Sequence, residues 1–472
     1  MIKKIYLVLF AMFLFSNVTI SQINHILTIQ ADSFPNKKFE ISFFYKGNKY
    51  YVDTVKIDKS GKAKWIFPPN AKIGMYQLKL MEELEKKFLF IYNKENITII
   101  LPGLNETKDP HYKQSLENEL LSTYNILQTN FSHISDIAFS YPTDDPFFKI
   151  ILNEYKIRQK KIDDFVNNLK KTKPNMFITK MASFEWRNGL QPEPGLTLEQ
   201  RKKFLNEHYF EGIDFSDTTI LYFPSINDFI INYFNLQVMV PSSFKLSIQD
   251  QYKNIVDNIL NKTKQYPTIY SFMIDFIIEG MEKANFEDVI TYIYENYISE
   301  GTCDDYTTPV VERAKKRANQ KKLLIKGKKM PNITLPDTNQ NKTSLYDINA
   351  DLIILVFWAS LCEHCEKEIP LLYEWYKNYN ESKGYNKATN MSKPVEVFAV
   401  SLDEDEKLWK TFIKDKGLDW INVCDFKRWE SPAVLTYFIF NTPTYIIMNK
   451  DKQLIGVPSD VDLLKIMINE IK

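Results

Sequence analysis

Cysteine is scarce in this 472-residue chain, and four residues exclude a disulfide-stapled scaffold. Glycine is scarce too, at 13, which excludes collagen-like and Gly-rich low-complexity architectures. Neither charge sign dominates: 60 Lys and Arg stand against 59 Asp and Glu, a net charge of +1. The basic excess needed to neutralise many phosphates is missing. There is no His-Glu-x-x-His, no Walker-type loop and no nucleophile elbow. What the chain does have is 44% hydrophobic and 14% aromatic residues, too many for a disordered polymer. At roughly 100–200 residues per domain, its length predicts two to four domains, each with its own core.

Residues 1–21 read as a signal peptide. Lys3 and Lys4 precede the apolar run Ile5 to Phe15, and Thr19-Ile20-Ser21 supplies small residues ahead of Gln22. The run is shorter than the roughly 20 residues a membrane-spanning helix needs. The chain is therefore expected in a periplasm or another extracytoplasmic space, with an uncleaved membrane anchor as the alternative.

The remaining chain changes period twice. Residues 22–104 alternate, as in Phe39, Ile41 and Phe43, with turns at Gly47-Asn48 and Lys59-Ser60-Gly61. This predicts a small antiparallel β-domain of sandwich type. Residues 105–326 take helical spacing and predict an all-α domain. Thr197-Leu198-Glu199-Gln200 forms a capping box, Ser225-Ile226-Asn227-Asp228 opens another helix, and Gln249 to Leu260, Tyr270 to Met281 and Phe286 to Tyr297 continue the pattern. The Lys- and Arg-rich stretch from Lys315 to Lys329 reads as a solvated helix end and linker.

Residues 327–472 alternate strand and helix and predict an α/β domain. Leu352 to Trp358 is a continuous apolar run, as a strand buried on both faces requires, and Val395 to Val400 reads as a second buried strand. The first leads into Cys362-Glu363-His364-Cys365 and then a helical stretch. A thiol at a helix N-terminus faces unpaired N–H groups and the positive end of the dipole, both of which favour the thiolate. Cys365, one turn on, is placed to resolve a mixed disulfide. Structural zinc and an inert disulfide are the competing readings of C-x-x-C. Zinc normally takes a second ligand pair, and the domain has only Cys424 and His364 to offer. Cys424 reads as a buried strand-end thiol and Cys303 as a loop or helix-end thiol, with a bridge between them left open.

The stretch Trp358-Ala359-Ser360-Leu361-Cys362-Glu363-His364-Cys365-Glu366-Lys367-Glu368-Ile369-Pro370 resembles the active-site segment of TlpA/ResA-like thiol–disulfide oxidoreductases of the thioredoxin superfamily. Lys329-Met330-Pro331-Asn332-Ile333-Thr334-Leu335 resembles their entry strand, and Thr442-Pro443-Thr444 their cis-proline loop. The earlier residues resemble the N-terminal extensions of multidomain members in general pattern only. The resemblance implies a thioredoxin-like fold with a Cys362–Cys365 redox disulfide. It also implies a cis bond at Pro443, client pairing along the Thr442 backbone, proton exchange through Glu368 and packing of Trp358 beside the dithiol. His364 stands where proline is common, and Leu361 where tryptophan often precedes the first cysteine. Val356 replaces the buried aspartate of cytosolic thioredoxins, leaving Glu368 as the relay candidate.

The expectation is an exported enzyme that exchanges disulfides with protein clients, reductively, and is recharged by a membrane-embedded thiol donor. No metal, cofactor or nucleic acid is expected. Two other readings are a peroxiredoxin-like peroxidase, although the threonine loop that activates such a cysteine is missing, and a binding or assembly protein with an auxiliary redox domain.

Overall fold

The computed structural model describes residues 24–82, 86–106, 108–186, 192–238, 247–299, 308–385 and 393–471. The proposed signal peptide and Cys303 lie outside the described residues. The chain divides into two compact units, Met1–Ser243 and Phe244–Lys472.

The described residues of the first unit open with eight strands: β1 (Ile26–Gln30), β2 (Lys38–Tyr45), β3 (Asn48–Lys56), β4 (Lys62–Ile66), β5 (Gly74–Leu80), β6 (Lys87–Tyr92), β7 (Ile97–Ile100) and β8 (His111–Lys113). They form two four-stranded sheets, ordered β4-β1-β7-β8 and β3-β2-β5-β6. The alternation read from Phe39, Ile41 and their neighbours turns one side of each strand inward. Leu27, Ile29, Ile97 and Ile99 from one sheet meet Phe39, Ile41, Leu78 and Phe90 from the other in one core. The expected sandwich is there, with one departure from antiparallel order: β1 and β7 run parallel, Leu27 opposite Ile97. Between β2 and β3 the chain turns in two residues, Lys46 (φ 52°) and Gly47 (φ 71°). Two successive positive φ angles match the twist of a tight hairpin, and glycine takes the second without steric cost.

Five α-helices follow among the described residues of this unit: α1 (Leu116–Ser140), α2 (Phe148–Thr172), α3 (Phe177–Trp186), α4 (Leu198–His208) and α5 (Ile226–Val238). The Thr197/Gln200 capping box forms as read. Glu117, buried in α1, accepts the Phe177 and Ile178 amides at 2.9 Å each. Its carboxylate thereby satisfies orphan donors at the start of α3.

The second unit begins with α6 (Ile248–Thr263), α7 (Pro267–Lys283), α8 (Glu287–Ile293, continued by a π turn over Tyr294–Ile298) and α9 (Pro309–Leu323). Residues 105–326, grouped above as one helical domain, are thus shared between the two units. The lysines of the basic run are exposed, as a solvated helix end requires, and Arg317 is the exception. Arg317 is 16% exposed and pairs with Glu282 and Glu287, while Lys321 and Lys322 pair with Asp288 and Glu295. Glu282 of α7 and Glu287 of α8 draw Arg317 inward, while the two lysines make their pairs at the surface.

Beyond α9 lies the α/β domain. β9 (Thr334–Pro336) and β10 (Lys342–Ser344) form a hairpin. Then come β11 (Ala350–Trp358), α10 (Glu363–Ser382), β12 (Lys393–Ser401), α11 (Glu406–Lys416), β13 (Ile421–Cys424), α12 (Pro432–Tyr437), β14 (Thr444–Asn449), β15 (Leu454–Gly456) and α13 (Val461–Asn469). The sheet order is β13-β12-β11-β14-β15, with β11, β12 and β13 parallel and β14 antiparallel to β11. β11 is the central strand, which is why its sequence is apolar at both parities. Ile353, Leu355 and Phe357 enter the core shared with Val434 and Tyr437 of α12. Ile354, Val356 and Trp358 enter the opposite core, with Ile369 and Leu372 of α10 and Leu464 of α13. Each such side chain is worth about 1.5–3 kcal/mol relative to exposure, so β11 anchors whatever its C-terminal end presents.

Candidate redox site

β11 ends at Trp358, whose carbonyl accepts the Leu402 amide at 2.7 Å. After three residues the chain enters α10, and Cys362 is its N-cap, with extended backbone angles (φ −92°, ψ 116°). A cysteine here does what Ser or Asp usually does: its sulfur accepts the Cys365 amide at 3.3 Å. Cys362 is half-buried and Cys365 fully buried, and both are free thiols.

The two thiols differ in acidity. Burial opposes ionisation of Cys362. Hydrogen bonds from the Cys365 thiol, the Thr442 side chain and the Cys365 and His364 amides outweigh it, so its pKa lies below the ordinary thiol value. For Cys365, burial acts first and the neighbouring Cys362 adds to it, and its pKa is pushed up to about 12. At neutral pH the accessible sulfur therefore ionises more readily, while the hidden one keeps its proton.

The cis-proline loop closes the other side. The Thr442–Pro443 bond is cis, and the Cys362 thiol donates to the Thr442 carbonyl at 3.4 Å. Thr444 then enters β14 opposite Phe357 of β11. Topology thus brings residues 80 positions apart onto one sulfur. Glu368 is half-buried on α10, accepting the Val461 amide at 2.9 Å and the Tyr445 hydroxyl at 3.4 Å. Tyr445 is buried, and its pKa is raised by that burial and then by the charges of Glu368 and Cys365. Trp358 is fully buried in the same core as Cys365, its ring 5.0 Å from that of Phe412. His364 is exposed; its amide, not its imidazole, reaches Cys362.

Sequence reading missed Asp403. Its buried carboxylate accepts the Ser360 amide at 3.1 Å and the Ser360 and Ser401 hydroxyls at 2.6 and 2.5 Å. It thereby pins the turn that carries Cys362. The available signal was its place just after a parallel strand, at the carboxyl edge where α/β sheets gather functional groups. A groove of ≈ 320 Å³ opens beside Cys362, with Leu361, Leu408, Trp429 and Thr442 among its walls. Cys424 ends β13, buried, its thiol donating to the Asp403 carbonyl at 3.6 Å. Among the described residues, no cluster of three His, Cys, Asp or Glu side chains is placed to hold a metal ion.

Residues 349–454 match a family model described as thioredoxin-like. The thiol–disulfide oxidoreductase ResA of Bacillus thuringiensis is 31% identical over 143 residues, 29% of this chain and 74% of that protein. ResA of Bacillus subtilis is 28% identical over 137 residues, 29% of this chain and 69% of that one. A solved thiol–disulfide oxidoreductase from Bacteroides fragilis is 27% identical and covers 31% of this chain and all of its own, with a TM-score of 0.26. Through its C-terminal domain, the chain belongs to the ResA-like thiol–disulfide oxidoreductases of the thioredoxin superfamily.

Proposed function

We propose that the protein reduces disulfides in client proteins outside the cytoplasm, with Cys362 attacking and Cys365 resolving. The observation that carries this reading is the unequal pair: a half-exposed sulfur whose ionisation is favoured, over a buried one whose ionisation is opposed. The Cys362 thiolate attacks one sulfur of the client disulfide, forming a mixed disulfide and releasing a client thiolate, which takes up a proton. Cys365 gives up its proton, and its thiolate attacks the Cys362 sulfur and expels the second client thiol. Two electrons pass to the client and the Cys362–Cys365 disulfide remains.

Glu368 supports the second step as acceptor of the Cys365 proton, sharing Tyr445 with it as an electrostatic neighbour. Thr442 offers backbone to an extended client segment in the manner of an added strand, with Pro443, Trp358 and His364 around the contact. An external reductant must restore the dithiol, and a membrane-embedded thiol donor suits an extracytoplasmic location. That location rests on the N-terminal residues 1–21. Among the described residues, no helix is long and apolar enough to cross a membrane.

Trapping tests the reading. Cys365→Ala should accumulate a mixed disulfide through Cys362 that additional reductant dissolves. A folded Cys365→Ala protein that captures no thiol partner would refute the reading, as would a Cys362→Ser protein that still reduces client disulfides.

A further inference from the structure

α9 ends against the segment that leads into the cis-proline loop. The Gln320 side-chain amide donates to the Phe438 and Tyr437 carbonyls at 3.3 and 3.5 Å. One turn earlier, the Arg317 guanidinium lies over the Phe440 ring, 4.3 Å from its centroid. Arg317 is itself held from behind, by Glu282 of α7 at 3.5 Å and by Glu287 of α8. Leu323 and Leu324, at the end of α9, pack on the core that contains Tyr437 and Ile439.

Phe438 needs such support. Its φ of 53° lies in the left-handed region, which is costly for a bulky residue. Two residues beyond Phe440 comes Thr442, whose carbonyl meets the Cys362 thiol. On its far side the loop is tied to the central sheet at Thr444. Residues 438–443 are therefore strung between two supports, β14 at one end and α9 at the other. Only the first belongs to the thioredoxin-like sheet.

We propose that Arg317 and Gln320 are positioning residues for client binding, which makes α9 a working part of the redox domain. They fix the backbone of the cis-proline loop at the height at which Thr442 receives an extended peptide. They act through that loop and not on the sulfurs. The proposal rests on the reading of Thr442 as the client-pairing backbone.

The test compares two substrates of the full chain in its dithiol form: a disulfide-bonded peptide long enough to lie along the loop, and the small disulfide 5,5′-dithiobis(2-nitrobenzoic acid). Arg317→Met keeps the apolar stem and removes the cation–π contact. Gln320→Ala removes the carbonyl bonds. Each should raise KM for the peptide, the half-saturating concentration in single turnovers of the dithiol, about fivefold with little change in kcat, the limiting rate of that turnover, a factor in keeping with losing one partly buried contact. The rate on the small disulfide should stay unchanged, and Arg317→Lys should recover part of the lost peptide affinity. Unchanged peptide KM in both folded variants would overturn the proposal. Equal losses on both substrates would overturn it too, by placing the effect on the dithiol. If the unsubstituted protein reduces only the small disulfide, the client-binding reading fails and takes this inference with it.

Discussion

The Cys365 amide points at the Cys362 sulfur across 3.3 Å, and the two thiols of that single turn lie on opposite sides of the ordinary thiol pKa. In the proposed mechanism this arrangement sets the order of events before any client arrives. Alkylation of the reduced protein with iodoacetamide should therefore modify Cys362 first, with a pH midpoint below the ordinary 9.0. Cys365 should resist until the pH nears its value of about 12 or the fold opens. Mass spectrometry of the labelled peptides checks both. Equal labelling of the two cysteines at pH 8 would contradict the assignment.

Glu368→Gln separates the proposed proton transfer from architecture. Glutamine still offers an oxygen to the Val461 amide and the Tyr445 hydroxyl, so the fold should stay within about 0.5 kcal/mol of the parent. Resolution of the mixed disulfide should slow about a hundredfold, the usual worth of a positioned general base. Single-turnover kinetics with a fluorescent client peptide reads the second step alone. Attack by Cys362 should keep its rate.

Asp403→Ala should weaken the fold and loosen the turn together. The Ser360 amide and the Ser360 and Ser401 hydroxyls lose their shared acceptor. Leaving buried donors unpaired costs about 1–3 kcal/mol. Urea denaturation should show that loss, while Asp403→Asn, which keeps one acceptor oxygen, should lose less.

Alkaline pH should destabilise the reduced protein through its buried thiols. Burial raises Cys365 to about 12 and Cys424 to about 11, from an ordinary 9.0. The folded state thus holds these protons more tightly than the unfolded chain. Their stabilisation is complete below pH 9 and is lost as pH rises through the folded values. Cys424→Ala should flatten the fall in denaturation midpoint between pH 9 and 11 relative to the parent. An identical slope in both proteins would refute the contribution of Cys424.

Much of this was legible in the sequence where one physical constraint acted alone. A strand buried on both faces must be apolar throughout, and β11 announced itself that way. The dithiol was legible because two cysteines at one-turn spacing after such a strand have few other uses. Asp403 was not, because it hides in the acidic run Asp403-Glu404-Asp405-Glu406, and only the fold brings Ser360, 43 residues away, to its carboxylate. Arg317 was misjudged for a related reason. In a basic run, nothing local distinguishes the side chain that will be drawn between two glutamates from the lysines that stay exposed. α12, with six residues, is too short to show a helical period at all.

The parallel pairing of β1 with β7 has a consequence for how the chain assembles. β1 sits inside its sheet, with β4 on one side and β7 on the other. The Ile26 amide finds its acceptor in Asn96, 70 residues further along. Closing so long a loop costs chain entropy before any contact repays it. During synthesis, the earliest described strand must therefore wait, one edge unpaired, until nearly the whole β-domain has followed it. The sandwich can close only as a unit, and a chain halted before Ile97 would present the open edge of β1 to whatever strand came near.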